Sequence, residues 1–203
     1  TPYSKEQSPK EILIQGNRIL GSGQLSLAKF LFIIADEKNA PDTHQVKNYF
    51  SYLLERIDLT RDLHFQTKTS IDTLDYSGTG LNSGSKVIIA ACGNKKRELS
   101  NTLSTQLNLP MGFTNPKTIF KGVLAITGPK FSSYENANRE LNAITESLKS
   151  DIEELKGFPL IILCDDSNFM SAEINNFLWA TFTRSNPSHD VYGVDAFTEF
   201  KHW

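Results

Sequence analysis

Short apolar runs alternate along this chain with longer segments of helical periodicity. The runs of strand length are KFLFIIAD, SKVIIAAC, KGVLAITG and FPLIILCD, and each is apolar at consecutive positions rather than at every second one. Consecutive apolar positions are typical of strands that are covered on both faces, as in parallel sheets. The alternation therefore predicts an α/β fold with a mostly parallel sheet and flanking helices.

The segment between the last two apolar runs predicts a long amphipathic helix. Its apolar residues recur at helical spacing along one stripe, namely Leu141, Ile144, Leu148, Ile152 and Leu155. Gly157 follows this stripe and is a typical helix-ending residue. The stripe fits either pairing in a coiled coil or packing on a sheet, and packing on a sheet is the commoner case.

Two parts of the chain follow the same order of features: an apolar run, an acidic pair, an amphipathic segment, an arginine and an aspartate. The polar residues are Asp36, Glu37, Arg56 and Asp62 in the first copy and Asp165, Asp166, Arg184 and Asp190 in the second. The apolar helix faces are formed by Val46, Phe50, Leu53, Leu54 and Ile57, and by Ile174, Phe177, Leu178 and Phe182. This order predicts an internal duplication, with residues 1–115 and 116–203 as two related α/β units, the second one truncated.

Composition and charge exclude several classes of protein. With 203 residues, 39% of them apolar and 22% charged, the chain can form one large domain or two small ones. A net charge of -2 gives no positive field for nucleic acid or anionic lipid, so neither partner is expected. No apolar stretch is long enough to span a membrane. Cys92 and Cys164 lie in apolar runs, which favours free thiols and a cytoplasmic location.

Several polar stretches resemble ligand-binding motifs but lack the context that such motifs need. The glycines of DYSGTGLNSGSK precede a strand, whereas phosphate-binding glycines follow a strand and open a helix, so a wide turn is predicted. The four histidines are scattered, and no Cys or His pair has zinc-ligand spacing. The acidic pairs lie at the carboxyl ends of predicted strands, where they either bind a metal or cap the next helix. Capping by Asp166 or Ser167 is the commoner role.

For other polar and aromatic residues, the sequence is consistent with two roles each. The basic cluster Lys95, Lys96 and Arg97 either contacts a phosphate or a partner, or forms a solvated face, which is the usual case. Arg184 is expected to pair with Asp190 or with nearby carbonyls. Phe177, Trp179 and Phe182 add aromatic area to one helix, which favours a place in the core or in an interface.

The stretch FPLIILCDDSNFMSAEINNFLWATFTRSNPSHD resembles a region of the UbiD-type aromatic acid decarboxylases. That region runs from an apolar strand through paired acids to a Trp-Ala-x-x-Thr-Arg helix and a downstream Asp. The matching residues here are Asp165, Asp166, Trp179, Ala180, Thr183, Arg184 and Asp190. The first copy, from LSLAKFLFIIADE to TSIDTLDYSG and SGSK, resembles the carboxyl-terminal domain of the same family. We therefore expect the chain to be a fragment of a longer protein.

The resemblance implies an enzyme that removes, or reversibly adds, a carboxyl group on aromatic or unsaturated acids with prenylated flavin mononucleotide and manganese. In that family the acid-base residues and the manganese ligands precede this domain, so no catalytic residue, metal ligand or cofactor is expected in the isolated chain. The domain is expected to pack against the amino-terminal flavin-binding part of the same protein, to form one wall of the substrate pocket and to join a homo-oligomer. The alternative is a non-catalytic binding or assembly module with the family fold.

The resemblance also implies roles for individual residues. Lys29 matches the family's basic residue before the first strand and is the cofactor-binding candidate. Ile71 and Thr73 fall where pocket-lining residues follow the Arg-Asp unit, which makes them substrate-pocket candidates. The structural or ion-proximal candidates are Arg56, Asp62, Arg184 and Asp190. The chain departs from the family pattern at Ser51, Tyr52 and Glu55 in the first copy, and at Ala90, where the family often has an Asp.

Overall fold

The computed structural model describes residues 8–197, and this part of the chain is an α/β structure with two small sheets. The helices are α1 (Pro9–Leu20), α2 (Val46–Arg56), α3 (Tyr134–Ser150), α4 (Ile152–Leu155), α5 (Ser167–Ala172), α6 (Ile174–Arg184) and α7 (Pro187–Asp190). The strands are β1 (Phe30–Ile34), β2 (Leu63–Thr69), β3 (Gly84–Ala91), β4 (Thr114–Phe120), β5 (Val123–Thr127) and β6 (Leu160–Cys164). A short 3-10 helix, Gly23–Leu27, lies between α1 and β1.

Each sheet has a central strand with one parallel and one antiparallel neighbour. In the first sheet, β1 runs parallel to the central β3, with Phe30 opposite Val87, and β2 runs antiparallel to it. In the second sheet, β6 runs parallel to the central β5, with Leu160 opposite Val123, and β4 runs antiparallel to it. The prediction of a mostly parallel sheet is therefore wrong, because both sheets are mixed.

The four apolar runs all form strands, but the two antiparallel strands were not predicted. Strands β3 and β5 are buried over nearly their whole length, as expected for central strands. Strands β2 and β4, with sequences LHFQTKT and TNPKTIF, are partly exposed. They lie at sheet edges, where one side of the strand needs no apolar cover and where Pro116 can be accommodated without its N–H.

The chain divides into two packing units. Within the described residues, the first unit contains residues 8–96 together with Thr181–Val191, and the second contains Arg97–Ala180 and residues 192–197. This division falls inside α6. The boundary predicted from internal likeness, between residues 115 and 116, falls inside β4, so the two divisions describe different properties of the chain. The related halves remain a prediction.

Helices cover both faces of the first sheet. Helix α1 packs through Ile12 and Leu20 on the face that carries Ile88 and Ala90. The approach is close, because a Cβ at Gly16 would lie 2.9 Å from Ile88 Cγ2. On the other face three phenylalanine rings meet. Phe32 lies 4.8 Å from Phe50 of α2 and 5.3 Å from Phe182 of α6, measured between ring centroids.

The second unit has its own core, in which the helix stripe lies on the sheet as predicted. Ile144 and Leu148 of α3 pack with Leu124 and Ile126 of β5. The helix ends at Ser150, however, and α4 is a separate turn on which Ile152 is 43% exposed. The predicted continuous helix to Gly157 is therefore wrong.

The break between α3 and α4 occurs at Asp151. The carboxylate of Asp151 accepts hydrogen bonds from the backbone N–H and the side-chain amide of Asn108, at 2.8 and 3.1 Å. The Asp151 N–H donates to the carbonyl of Ser147. Gly157 has a different role, because a Cβ at this position would lie 2.1 Å from Ser100 Oγ. A distant loop, rather than the glycine, thus determines where the helix ends.

Both cysteines carry free thiols, Cys92 in the core and Cys164 partly buried. Burial raises the pKa of each thiol to about 11. No helix between residues 8 and 197 has the length and apolar character needed to cross a membrane.

Candidate functional site

Lys29 precedes β1, and its ammonium group is buried in the first unit. Nζ lies 2.8 Å from Asp75 Oδ2, and the Lys29 side chain is 7% exposed. The same ammonium donates to Ser77 Oγ at 2.7 Å and reaches the carbonyl of Thr183 at 3.4 Å. Because an ammonium group has three N–H donors, these contacts use its full capacity. Lys29 thus links the start of β1 to the segment after β2 and to the end of α6.

Asp75 closes a turn on its own segment as well as binding Lys29. Its Oδ1 accepts from the backbone N–H of Ser77 at 2.9 Å and from the Ser77 hydroxyl at 2.6 Å. Burial by itself raises the pKa of Asp75, but the hydrogen bonds from Lys29 and Ser77 outweigh burial, so the pKa lies below its ordinary value. The carboxylate is therefore held in its charged form at neutral pH.

Residues 72–83, which we call the apolar loop, project from this anchor. Ile71, at the base of the loop, is 2% exposed, and its N–H donates to the carbonyl of Asn82 at 3.3 Å. A Cβ at Gly78 would lie 2.1 Å from the Ser83 carbonyl oxygen, and one at Gly84 would lie 2.8 Å from Ile71 Cδ1. The glycines therefore permit close packing in a turn before β3, which confirms the predicted turn.

The tip of the apolar loop carries large side chains that face solvent. Leu74, Tyr76 and Leu81 are 78%, 89% and 81% exposed. Thr73 is also exposed, whereas Ile71 is buried under the loop. The two substrate-pocket candidates thus differ in accessibility: Thr73 can contact a bound molecule, and Ile71 shapes the base of the loop.

A second polar group lies at the carboxyl ends of β1 and β3. The Tyr52 hydroxyl donates to Glu37 Oε2 at 2.6 Å, and the Gly93 N–H donates to Glu37 Oε1 at 3.1 Å. Burial, together with the hydrogen bond to Glu37, raises the pKa of Tyr52 to about 12. Glu37 therefore joins α2 to the ends of two strands, which is a structural role for one residue of the first acidic pair.

Arg56 packs against this group. Its guanidinium carbon lies 3.4 Å from the centroid of the Tyr52 ring, and Nη1 donates to the Tyr52 carbonyl and to Glu55 Oε2, both at 3.1 Å. Its Nε is buried and has no hydrogen-bond partner within the described part of the chain. The arginine is held by stacking and by charge, as a residue with a structural role would be.

Asp62 is completely buried, and its partner is Arg61 rather than Arg56. Arg61 donates to the two carboxylate oxygens of Asp62 from Nε at 2.6 Å and from Nη2 at 3.1 Å. The N–H of Asp58 donates to Asp62 Oδ2 at 2.8 Å. The sequence pattern named Asp62 as a structural or ion-proximal candidate, but it did not point to Arg61.

Arg184 and Asp190 lie on the surface at the end of α6 and in α7. Asp190 Oδ2 accepts from the N–H of Asn186 at 2.6 Å. Asn186 is buried and accepts a hydrogen bond from the Ser85 hydroxyl, which also accepts from the N–H of Ser188 at 2.9 Å. No sequence pattern pointed to this pair of serine and asparagine, and the pairing of Arg184 with Asp190 remains a prediction.

One residue of the second acidic pair, Asp166, caps a helix. Asp166 accepts from the N–H groups of Asn168 and Phe169, at 2.8 and 3.2 Å, at the start of α5. This confirms the capping role that was weighed against metal binding. In residues 8–197, no three His, Cys, Asp or Glu side chains lie close enough together to hold a metal ion. His202, one of the four histidines, lies outside the described residues.

Two lysines of the basic cluster form ion pairs. Lys95 binds Glu55 at 3.0 Å, and Lys96 binds Asp58 at 3.1 Å, so both lysines are tied to the end of α2.

The aromatic residues of α6 differ in burial. Phe177 is completely buried, whereas Trp179 is 52% exposed and makes an edge contact with the Phe169 ring. Of the aromatic residues invoked for self-association, Trp179 is the one that offers substantial exposed area.

Comparisons with known proteins found one matching family and several similar chlamydial proteins. Residues 3–91 match the family described as 3-octaprenyl-4-hydroxybenzoate carboxy-lyase C-terminal domain. A Chlamydia caviae protein is 37% identical over 192 residues, which cover 93% of this chain and 30% of that protein. A Chlamydia trachomatis protein is 35% identical over 188 residues, with coverage of 93% and 30%. A Chlamydia pneumoniae protein that is named as a subunit of 4-hydroxybenzoate decarboxylase is 34% identical over 192 residues, with coverage of 94% and 30%.

The extent of these matches differs along the chain. The family match ends at Ala91, the last residue of β3, and so covers the three strands of the first sheet. The similarity to the chlamydial proteins covers 93% or more of the chain and therefore includes both packing units. The chain spans 30% of the length of these relatives.

Proposed function

We propose that the chain is the carboxyl-terminal domain of a longer UbiD-type decarboxylase, because residues 3–91 match the model of that domain. The observation that carries the proposal is the family match. It is supported by 34% identity to a protein named as a decarboxylase subunit. We propose further that the longer protein acts on an aromatic or unsaturated carboxylic acid, which it decarboxylates or carboxylates with prenylated FMN.

The described residues do not fit the manganese that the family implies. No three metal-binding side chains cluster between residues 8 and 197. One residue of each acidic pair is engaged instead, Asp166 in capping and Glu37 in its contacts with Tyr52 and Gly93. We therefore assign the manganese, the flavin phosphate and the acid-base residues to the remaining part of the longer protein. The isolated chain is then inactive by itself.

The contribution we propose for this domain is a wall of the substrate pocket. The apolar loop has the properties that such a wall needs: a buried base at Ile71, an exposed Thr73 and large apolar side chains at its tip. Lys29, which the family resemblance connects with the cofactor, anchors the same loop through Asp75. We propose that Lys29 is the residue through which this domain acts on the cofactor site.

We propose two kinds of partner for the domain. The first is the amino-terminal flavin-binding part of the same protein, since the chain spans 30% of its relatives. The exposed Leu74, Tyr76 and Leu81 are suited to that contact. The second is another copy of the protein in a homo-oligomer, to which the exposed Trp179 can contribute. The free thiols support a reducing, cytoplasmic location.

We also propose that the chain arose by duplication, with residues 1–115 and 116–203 as related halves. In each of the parallel pairs β1–β3 and β5–β6, an acidic pair follows the edge strand, Asp36–Glu37 one residue after β1 and Asp165–Asp166 directly after β6. A superposition of the halves is expected to bring Asp36 near Asp165 and Arg56 near Arg184.

The test is carbon dioxide release by the longer protein. The protein is produced with a source of prenylated FMN and is incubated with a panel of hydroxybenzoates and cinnamates. A preparation made without the prenylated cofactor is the matched control. Release from at least one acid, dependent on the cofactor, is the expected result. If the cofactor is bound and no acid is turned over, the domain is instead part of a binding or assembly protein.

A further inference from the structure

We propose that Lys29 is a positioning residue, whose ion pair with Asp75 fixes the conformation of the apolar loop and with it the pocket wall. The inference rests on the proposed function, because the pocket wall is part of that proposal. The contact itself belongs to this chain alone and can be tested without any substrate.

The anchor on the Lys29 side is rigid. The carbonyl of Lys29 accepts a hydrogen bond from the N–H of Val87 in the central strand β3, at 3.0 Å. The residue is 8% exposed as a whole, and it continues directly into β1. The backbone of Lys29, from which the side chain extends, is therefore held by the buried central strand of the first sheet.

The loop side of the contact is held locally but not by regular structure. Asp75 and Ser77 form a turn, and Thr79 and Ser83 close the tip through a backbone hydrogen bond of 2.8 Å. Of the exposed large side chains, Leu74 precedes the first turn, Tyr76 lies in it and Leu81 lies in the second turn. The contact of Lys29 with Asp75 and Ser77 connects the middle of this loop to the sheet, and loss of that contact leaves the middle of the loop free to move.

Burial makes the pair interdependent. The side chains of Lys29 and Asp75 are 7% and 17% exposed, so removal of either partner leaves a charge in a largely dry site. We therefore expect both single variants to release the loop. The double variant Lys29→Met with Asp75→Asn removes both charges and is expected to release it less than the two single variants combined.

The geometry also bears on how Lys29 acts on a cofactor. Its three donors are taken by Asp75, Ser77 and Thr183. An anionic group that binds Lys29 directly must displace one of these three partners, and it competes with Asp75 for the charge of the ammonium group. Under direct contact, Asp75→Asn frees the ammonium and strengthens binding of the anion. If Lys29 only positions the loop, Asp75→Asn and Lys29→Met change binding of the anion in the same direction.

The decisive experiment is hydrogen–deuterium exchange on this chain. Amides of residues 72–79 are expected to exchange at least tenfold faster in Lys29→Met and in Asp75→Asn, while amides of Val87 to Ala91 keep their rates. The matched controls are Asp72→Asn in the same loop and Lys68→Met on the exposed face of β2, and both should leave the loop unchanged. Unchanged loop exchange in Asp75→Asn, or faster exchange throughout the first unit, overturns the proposal.

A second readout separates positioning from direct binding in the longer protein. We expect Lys29→Met and Asp75→Asn both to retain flavin and to raise the KM for the acid. Loss of flavin in Lys29→Met with tighter flavin in Asp75→Asn overturns the positioning role. A longer protein that decarboxylates nothing refutes the proposed function, and the exchange result still decides the role of Lys29.

Discussion

Asp62 and Asp190 close turns of the same construction. Oδ2 of each aspartate accepts from the backbone N–H four residues earlier, that of Asp58 at 2.8 Å and that of Asn186 at 2.6 Å. In both turns the N–H of the aspartate also donates to the carbonyl of that earlier residue, at 2.8 and 2.9 Å. Alignment of the two copies pairs these residues with each other, so the turns support the proposed duplication.

The two turns differ in burial, which leads to the first prediction. Asp62 is completely buried and binds Arg61, whereas Asp190 is exposed. We expect Asp62→Ala to lower the free energy of unfolding by about 2–3 kcal/mol, because it removes a buried charged acceptor whose partner Arg61 is partly solvated. Asp190→Ala is expected to cost about 1 kcal/mol. Urea unfolding of both variants measures the difference, and equal losses contradict this explanation.

The glycines of the apolar loop give a second, matched pair of variants. A Cβ at Gly78 would lie 2.1 Å from the Ser83 carbonyl oxygen, whereas a Cβ at Gly80 would meet nothing within 4 Å. Gly78→Ala is therefore expected to destabilise the chain by about 1–3 kcal/mol through overpacking against backbone. Gly80→Ala should be close to neutral. Thermal unfolding of the two variants is the measurement, and a stable Gly78→Ala protein shows that the loop is packed differently.

Asp58 gives a prediction for low pH. Hydrogen bonding from the Thr60 hydroxyl is the largest effect on this carboxyl, and with Lys96 it outweighs burial and lowers the pKa from 3.8 to about 2. A carboxyl with a lowered pKa in the folded state contributes stability above its unfolded pKa, and this contribution is lost as the pH falls from about 4 to about 2.

The measurement is an NMR titration of the Asp58 carboxyl. Thr60→Val should raise the pKa of Asp58 toward the ordinary value of 3.8 and should make the loss of stability begin at higher pH. Thr67→Val, at an exposed position on β2, is the control and should leave the titration unchanged. An Asp58 carboxyl that titrates near its ordinary value in the unaltered chain refutes the assignment.

Sequence patterns predicted the four strands that pair in parallel, but not the two antiparallel edge strands. Burial of β3 and β5 leaves consecutive apolar residues that can be read directly. The edge strands β2 and β4 are defined by pairing with distant segments, and their residues are mostly polar. The helix break at Asp151 has the same origin, since it depends on Asn108 in a separate loop.

The sequence named candidate site residues but not the contacts that these residues make. Lys29 could be identified through the family resemblance, yet its partner Asp75 lies far along the chain in a loop without periodicity. The Arg-Asp spacing pointed to Asp62, whereas its observed partner is the neighbouring Arg61. A contact between distant residues, such as that of Lys29 with Asp75, has no local sequence signal, because any exposed loop could carry the same residues.

The central claim is that this domain belongs to a flavin-dependent decarboxylase but does not itself hold the cofactor. It is tested most directly by an absorbance scan of the purified 203-residue chain and of the longer protein, both produced with a source of prenylated FMN. We predict a bound-flavin spectrum for the longer protein and none for the chain alone. Flavin retained by the chain alone, or absent from the longer protein, would contradict this claim.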